Sequence, residues 1–313
     1  MKKVLLIVNP CAGQKKARRF LMDMVAILNR GDCQVLVHVT AAPGDGEAAV
    51  LRYAGEVEQI LCCGGDGTFH EVVSGLLKCG GEIPLGYIPA GSTNDFAASL
   101  KLSTNLLQAT RDTVDGSPVK LDVGRFNDTY FSYVASFGMF TKVSYATPQS
   151  VKNILGHAAY ALGGIQELSQ LKSYPLRFTL EDGTVIQDSF IFGAVSNTFR
   201  VGGILTLDAA QVDMSDGSLE LLLIRPPRNL LELSECVVAL QQKNYNGSLL
   251  TFVKTAALTV QAPEKMPWTL DGEMENGCNQ IEIRCVHHAI SVIAPPKKEK
   301  KNRGKRLPRV DSP

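Results

Sequence analysis

Long apolar runs are missing from this 313-residue chain. None approaches the ~18 residues that a membrane-crossing helix requires, so any membrane contact is expected to be peripheral. The opening stretch MKKVLLIVNP starts like a secretory signal. Its apolar run stops after five residues at Asn9-Pro10, too short for the core of such a segment. No signal peptide is expected, and the expected location is the cytoplasm. A dominant charge is missing too. The 32 Lys and Arg nearly balance the 31 Asp and Glu, for a formal net charge of +1, which excludes a global attraction to polyanions. Eight cysteines are present, but no two stand at CxxC spacing. That speaks against a zinc site or a disulfide framework and fits a reducing compartment. Internal repeats are absent.

The charge balance hides one asymmetry. Residues 297–309 hold eight Lys or Arg and one Glu, which leaves the rest of the chain net acidic. Two readings stay open: a solvated, disordered tail, or attraction to an anionic membrane surface at roughly 1 kcal/mol per basic residue. No aromatic residues interleave these charges, so nucleic acid is not an expected partner.

What is present is an ordinary globular composition, 45% apolar and 20% charged, long enough for two domains. The first ~120 residues alternate strand and helix signals, the pattern of an α/β layer fold. Apolar runs at Val4–Val8, Val35–Val39, Ile60–Cys63 and Pro84–Ile88 read as strands. Helices are expected over 15–29, 48–54 and 69–77, the first with Ala17, Phe20, Leu21, Met24, Val25 and Leu28 on one face. After Asp122 come short strand-like runs, 130–136, 177–180, 189–196, 218–224, 255–261 and 280–286, with one helix at 152–171. Such spacing suggests an antiparallel sandwich or barrel. His287 and His288 lie in the last run with no partner cluster in sequence and read as structural or solvent-facing.

Four segments carry chemistry. GGDGTFHEVVSGL, residues 64–76, follows an apolar run and opens a helical pattern. Its glycines let backbone amides approach an anion, and the helix aims its positive end at the same place. It lacks the Gly-Lys-Ser/Thr ending of a P-loop, so it binds phosphate in another way. NPCAGQKKA, residues 9–17, and PAGSTNDFA, residues 89–97, also follow strands. Taken alone, the first reads as an ordinary turn. In the second, one of Ser92, Thr93 and Asn94 reads as a helix cap. Together, three such turns at one sheet edge point to a nucleotide phosphate chain. The fourth is LDGEMENG, residues 270–277, where Asp271 and Glu273 flank Gly272. By spacing alone an Asp-Gly hairpin turn is the favoured reading.

In order and spacing these segments, with SNTFRVGG at 196–203 and SDGSLEL at 215–221, resemble the catalytic-domain superfamily of diacylglycerol kinases and sphingosine kinases, in particular its soluble bacterial lipid kinases. The resemblance spans residues 1 to about 294. It implies an α/β nucleotide-binding domain over 1–122, rejoined by the chain near 287–296. A mainly antiparallel β-sandwich lipid-acceptor domain follows over 123–286, with the active site in the cleft between them. The tail is 297–313. ATP and Mg2+ are the implied cofactors. ATP contacts are implied for Asn9, Pro10, Gly13, Gly64, Gly65, Asp66, Gly67, Thr68, His70 and Thr93, with Ser92 and Asn94 beside it and Thr40 a weaker candidate. Asp271 or Glu273 is the implied general base. Asp66 is a candidate Mg2+ ligand. Asp213, Asp216 and Ser218 match a structural Mg2+ site, or else form a plain Asp-Gly turn. One departure is Leu207-Asp208-Ala209, where relatives commonly carry a proline.

The reaction this implies is phosphorylation of a lipid alcohol, with diacylglycerol as the favoured acceptor and phosphatidic acid as product. The acceptor could instead be a sphingoid base, ceramide, polyprenol or NAD, or the chain could be a catalytically silent lipid-binding protein. The sequence sets no oligomeric state, and a homodimer is allowed for.

Overall fold

The structure, a computed structural model, describes residues 1–138, 172–201 and 205–296. The helix expected at 152–171 and the basic tail lie outside the described residues.

The first domain runs β1 (Lys2–Val8), α1 (Lys16–Arg30), β2 (Cys33–Val39), α2 (Asp45–Tyr53), β3 (Gln59–Gly64), α3 (Asp66–Lys78), β4 (Leu85–Pro89), α4 (Asp95–Ser99) and α5 (Leu106–Asp115). Its parallel strands lie in the order β2-β1-β3-β4. Interior strands β1 and β3 are apolar on both sides because helices cover both faces. Ala17, Met24 and Leu28 of α1 pack with Leu106 and Ala109 of α5 on one face. Ala49 and Val50 of α2 pack with Phe69, Val72 and Leu76 of α3 on the other. The neighbours Cys62 and Cys63 divide between the two cores, and all eight cysteines are free thiols. The order reverses at β1 and β3, so a crevice opens at their carboxyl ends.

Helices α2 and α3 each begin three residues before the expected start. Apolar periodicity marks the first buried residue, whereas Asp45 and Asp66 open their helices as first-turn carboxylates, where the helix dipole favours them. Helix α5 was not anticipated. Its signal is local: Asn105 accepts the Gln108 amide at 3.0 Å as an N-cap.

The second domain holds β5 (Ser117–Phe126), β6 (Thr129–Phe131), β7 (Val134–Gly138), β8 (Tyr174–Leu180), β9 (Val185–Phe190), β10 (Phe192–Ser196), β11 (Arg200–Val201), β12 (Leu205–Thr206), β13 (Leu219–Ile224), α6 (Leu230–Gln241), β14 (Leu250–Thr255), β15 (Ala257–Gln261), β16 (Pro267–Leu270), β17 (Glu273–Asn276) and β18 (Gln280–Ala294). An antiparallel sheet β14-β13-β10-β7-β16-β17 faces β18-β15-β8-β9, the antiparallel end of the larger sheet. Phe126, Phe137, Phe178, Phe190 and Trp268 fill the space between. Phe137 and Phe126 meet the Trp268 ring edge-on at 4.8 and 5.2 Å, the arrangement aromatic quadrupoles favour. This is the expected α/β plus sandwich architecture. Two expected runs split. Ser189–Ser196 divides at Ile191 into β9 and β10, which belong to different sheets, and 255–261 joins the end of β14 to β15. A period of two continues through such a sheet switch, so alternation cannot reveal it. Helix α6 was also unexpected.

Strand β18 serves both domains. Its residues 280–284 pair with β15 and 283–286 with the Val123–Phe126 part of β5, while 290–294 pair with Ser117–Leu121 of β5 and, at Val292, with Leu85 of β4. The expected boundary at 122/123 thus lies inside β5, opposite a register shift between Val286 and Ile290. Among the described residues no helix is long and apolar enough to cross a membrane.

Candidate active site

Three turns meet at the carboxyl edge of the first sheet. Gly13 has a φ of +49°, and a Cβ there would lie 2.4 Å from the Ala90 carbonyl oxygen. A Cβ on Gly91 would lie 2.6 Å from the Gly65 Cα. Only residues without side chains let these backbones touch. Asn9 ties two turns together, with its Nδ2 donating to Thr68 Oγ1 at 2.8 Å and its Oδ1 accepting the Cys11 amide at 2.9 Å. Thr40 donates its amide to Val8 O at the neighbouring strand end.

Asp66, Gly67 and Thr68 form the first turn of α3 instead of the preceding loop. Gly65 caps this helix without a side-chain hydrogen bond, so no capping side chain occupies its first-turn amides. The Asp66 carboxyl is pushed up to about 6, first by burial, then by the nearby Asp95 carboxylate. Its Oδ1 is buried with no hydrogen-bond partner. Asn94, expected as a nucleotide contact or a cap, makes no side-chain hydrogen bond as a cap. Its Oδ1 accepts the Gly91 amide and its Nδ2 donates to Gly91 O, both at 2.9 Å. Ser92 and Thr93 are exposed in the same turn.

The second domain reaches this edge through the β16–β17 hairpin. Asp271 and Gly272 both take positive φ, +50° and +84°, the mirror-image turn that suits a two-residue hairpin. The Asp-Gly turn expected from spacing is therefore present, and it also carries the site. Asp271 is buried. Its Oδ2 accepts the Ser132 amide at 2.6 Å and its Oδ1 accepts those of Tyr133 and Val134 at 2.9 and 3.1 Å. From the first domain His70 Nδ1 meets Oδ2 at 2.9 Å. Four donors thus converge on the one carboxylate. Burial alone would lower the His70 imidazole, but the Asp271 hydrogen bond and charge, with Glu273 and Glu71 behind them, outweigh it and raise it above its ordinary value. Glu273, two residues on, is exposed, with Oε1 3.7 Å from where a Gly67 Cβ would stand.

Between these walls lies a cavity of about 550 Å3, lined by Asn9, Thr40, Gly67, Thr68, His70 and Glu273 together with Cys11, Glu71 and the 41–43 loop. Pro10, Gly13, Gly64, Gly65 and Asp66, from two of the same turns, are not in that lining. Glu71 escaped sequence reading. Its two oxygens accept the amides of Gly44 and Gly46 at 2.8 and 2.9 Å and so fix the cavity's outer loop. Its partners lie 25 or more residues away, so no local pattern marks it.

The 213–218 segment lies apart from this cavity. Asp213 Oδ1 accepts the amide and hydroxyl of Ser215. Asp216 accepts the Ser218 amide with one oxygen and pairs with Lys254 Nζ at 2.9 Å through the other. One Asp216 oxygen is thus already neutralised by the Lys254 ammonium. His287 and His288, read as lacking partners, both face the buried Asp122.

Known proteins resemble this chain in sequence and fold. The family described as diacylglycerol kinase catalytic domain matches residues 3–126. The chain is 31% identical over 302 residues to the diacylglycerol kinase of Bacillus subtilis (strain 168), covering 95% of this chain and 98% of that one. It is 29% identical over 296 residues to that of Staphylococcus aureus (strain MRSA252), covering 94% and 93%. A crystal structure of a diacylglycerol kinase from Bacillus anthracis str. Sterne shares the fold with a TM-score of 0.71, at 23% identity over 94% of this chain and 97% of that one.

Proposed function

The chain belongs to the diacylglycerol kinase family and is a lipid kinase, and we propose that it transfers the γ-phosphoryl group of ATP, with Mg2+, to the hydroxyl of diacylglycerol, giving phosphatidic acid. The observation that carries this reading is the placement of Glu273, from the second domain, beside Gly67 in the first turn of α3. A carboxylate and a helix N-terminus there bracket a space where a hydroxyl can meet a phosphate.

In this reading the first-turn amides of α3 bind the phosphate chain, and Asn9 and Thr68 hold the two flanking turns in register. Glu273 takes the proton of the lipid hydroxyl as general base. Asp271 positions the groups around it. Both of its oxygens already accept hydrogen bonds, and its contact with His70 locks the hairpin against α3. Asp66 fits a magnesium ion, since an unpartnered buried oxygen in a crowded acidic setting is relieved by a dication. When bound, Mg2+ supplies neutralisation of the charge on the phosphate chain. The 213–218 loop, with Lys254 on Asp216, is given no part in the chemistry.

A lipid acceptor brings the enzyme to a membrane surface as a peripheral protein. The test is transfer from radiolabelled ATP with Mg2+ to diacylglycerol, sphingosine, ceramide and a polyprenol in mixed micelles, with NAD as a soluble control. Label in diacylglycerol, lost in Glu273→Gln, is the expected result. Label in another acceptor, or in none, overturns the assignment of substrate.

A further inference from the structure

The bend where one domain passes into the other carries a second set of ligating groups. Opposite Asp122 the β5–β18 ladder shifts register between Val286 and Ile290. His288 sits at the shift with a φ of +53°. This left-handed kink breaks the alternation of β18, so that His287 and His288, adjacent in sequence, no longer point to opposite faces. Their rings stack with centroids 3.6 Å apart. Both reach one carboxylate. Asp122 is fully buried, and its Oδ1 accepts the His288 amide at 2.7 Å and meets His287 Nδ1 at 2.9 Å. Its Oδ2 is held by the Gly217 amide at 2.7 Å. Gly217 is where a side chain would crowd the ring, since a Cβ there would stand 3.3 Å from His287 Nδ1.

We propose that Asp122, His287 and His288 form a binding site for a transition-metal dication of the zinc or cobalt class. One ligand atom from each residue lies within 4.8 Å of the other two. Atoms bound at about 2.0–2.2 Å around a tetrahedral ion lie roughly 3.3–3.6 Å apart, so the set closes when one of these exposed imidazoles turns out of the stack. Two imidazoles and one carboxylate select such ions over Mg2+ and Ca2+, which take oxygen donors. The Gly217 amide on Oδ2 supplies the outer hydrogen bond that fixes a ligating carboxylate. The proton that His287 shares with Oδ1 moves to Nε2, and the metal takes its place. Both histidines are exposed, so an ion enters directly from solvent and leaves coordination positions to water. The Asp122 main chain also accepts from Asn197 and donates to Met214. The ion would therefore clamp the bend of the ladder and the loop at Met214–Gly217 at once. The site is separate from the phosphate cavity and independent of the lipid substrate.

The test uses the full-length, untagged protein stripped with EDTA and titrated with Co2+. The expected result is a visible d–d absorption band that saturates at one equivalent, is displaced by Zn2+ and is unaffected by millimolar Mg2+. Zn2+ should raise the Tm by a few degrees. His288→Gln and His287→Gln should each weaken Co2+ binding by roughly 10- to 100-fold or more while the metal-free Tm stays near that of the parent. Absence of the band and of the Tm shift overturns the proposal. So does a band that survives in both variants, because the ion then sits on other ligands such as the free cysteines.

Discussion

Two Asp-Gly turns in this molecule share a local sequence and differ in almost everything else. Asp271-Gly272 joins β16 to β17, and its carboxylate is shut away from solvent beneath three amides and an imidazole from the other domain. Asp216-Gly217 precedes β13, and its carboxylate, 31% exposed, pairs with a flexible lysine. In each the Gly takes a positive φ, joined in the first by Asp271. The difference lies in what the fold presses against the turn. One faces the amides of residues 132–134 and the first turns of α3, the other faces solvent and β14. A turn motif therefore announces geometry, and its surroundings decide whether the carboxylate becomes a structural tie, a catalyst's neighbour or a surface charge.

The sharpest way to test the contrast is at the residue after each turn's glycine. Glu273→Gln should lower kcat by roughly 100- to 10,000-fold with KM for ATP within a few-fold, measured in the micelle assay. Ser218→Ala should leave both constants unchanged. Next comes stability. Asp271→Asn leaves buried donors facing a poorer acceptor and should cost about 1–3 kcal/mol in urea unfolding. Asp216→Asn should cost no more than about 0.5 kcal/mol. A pH series separates the turns further. The His70 imidazole is raised in the fold, so the stability it adds is fully present below its ordinary value and is lost as pH rises through the raised one. The Tm difference between parent and His70→Gln should shrink from pH 6 to pH 8. A small effect is expected at Lys254→Met, about 1 kcal/mol or less. Burial first, against the opposing pull of Lys254, brings the neighbouring Glu220 carboxyl to about 7. Without the ammonium, Asp216 and Glu220 should welcome a dication, and the variant's Tm should become Mg2+-dependent. A Mg2+-independent variant would break the comparison.

Much of this was written in the sequence where the chemistry is local. The doubly covered strands β1 and β3, the three Gly-bearing turns and the Asp-Gly hairpin all announce themselves within a few residues. What stayed hidden depends on distant partners. Asp271 and Glu273 stood as equals until the amides of 132–134 were seen to occupy one of them. Asn94 looked like a cap until its side chain was found folded onto Gly91. Glu71 lies within the 64–76 segment, but its partners Gly44 and Gly46 are distant in sequence, and Asp122 gains its two histidines only through a register shift 165 residues later. Helix starts were misplaced because periodicity reports burial, while Asp45 and Asp66 begin their helices with charge.

Strand β18 gives the chain a schedule. The open edge of β4 is met by β18 at Val292, opposite Leu85, which emerges from the ribosome about 200 residues after β4 does, or roughly 10–40 s later at common elongation rates. Until then β4 lacks its outer partner, and the same strand that supplies it also completes the sandwich through its pairing with β15. The first domain is begun first and completed last, so a nascent chain cannot assemble a working cleft before both of its walls exist.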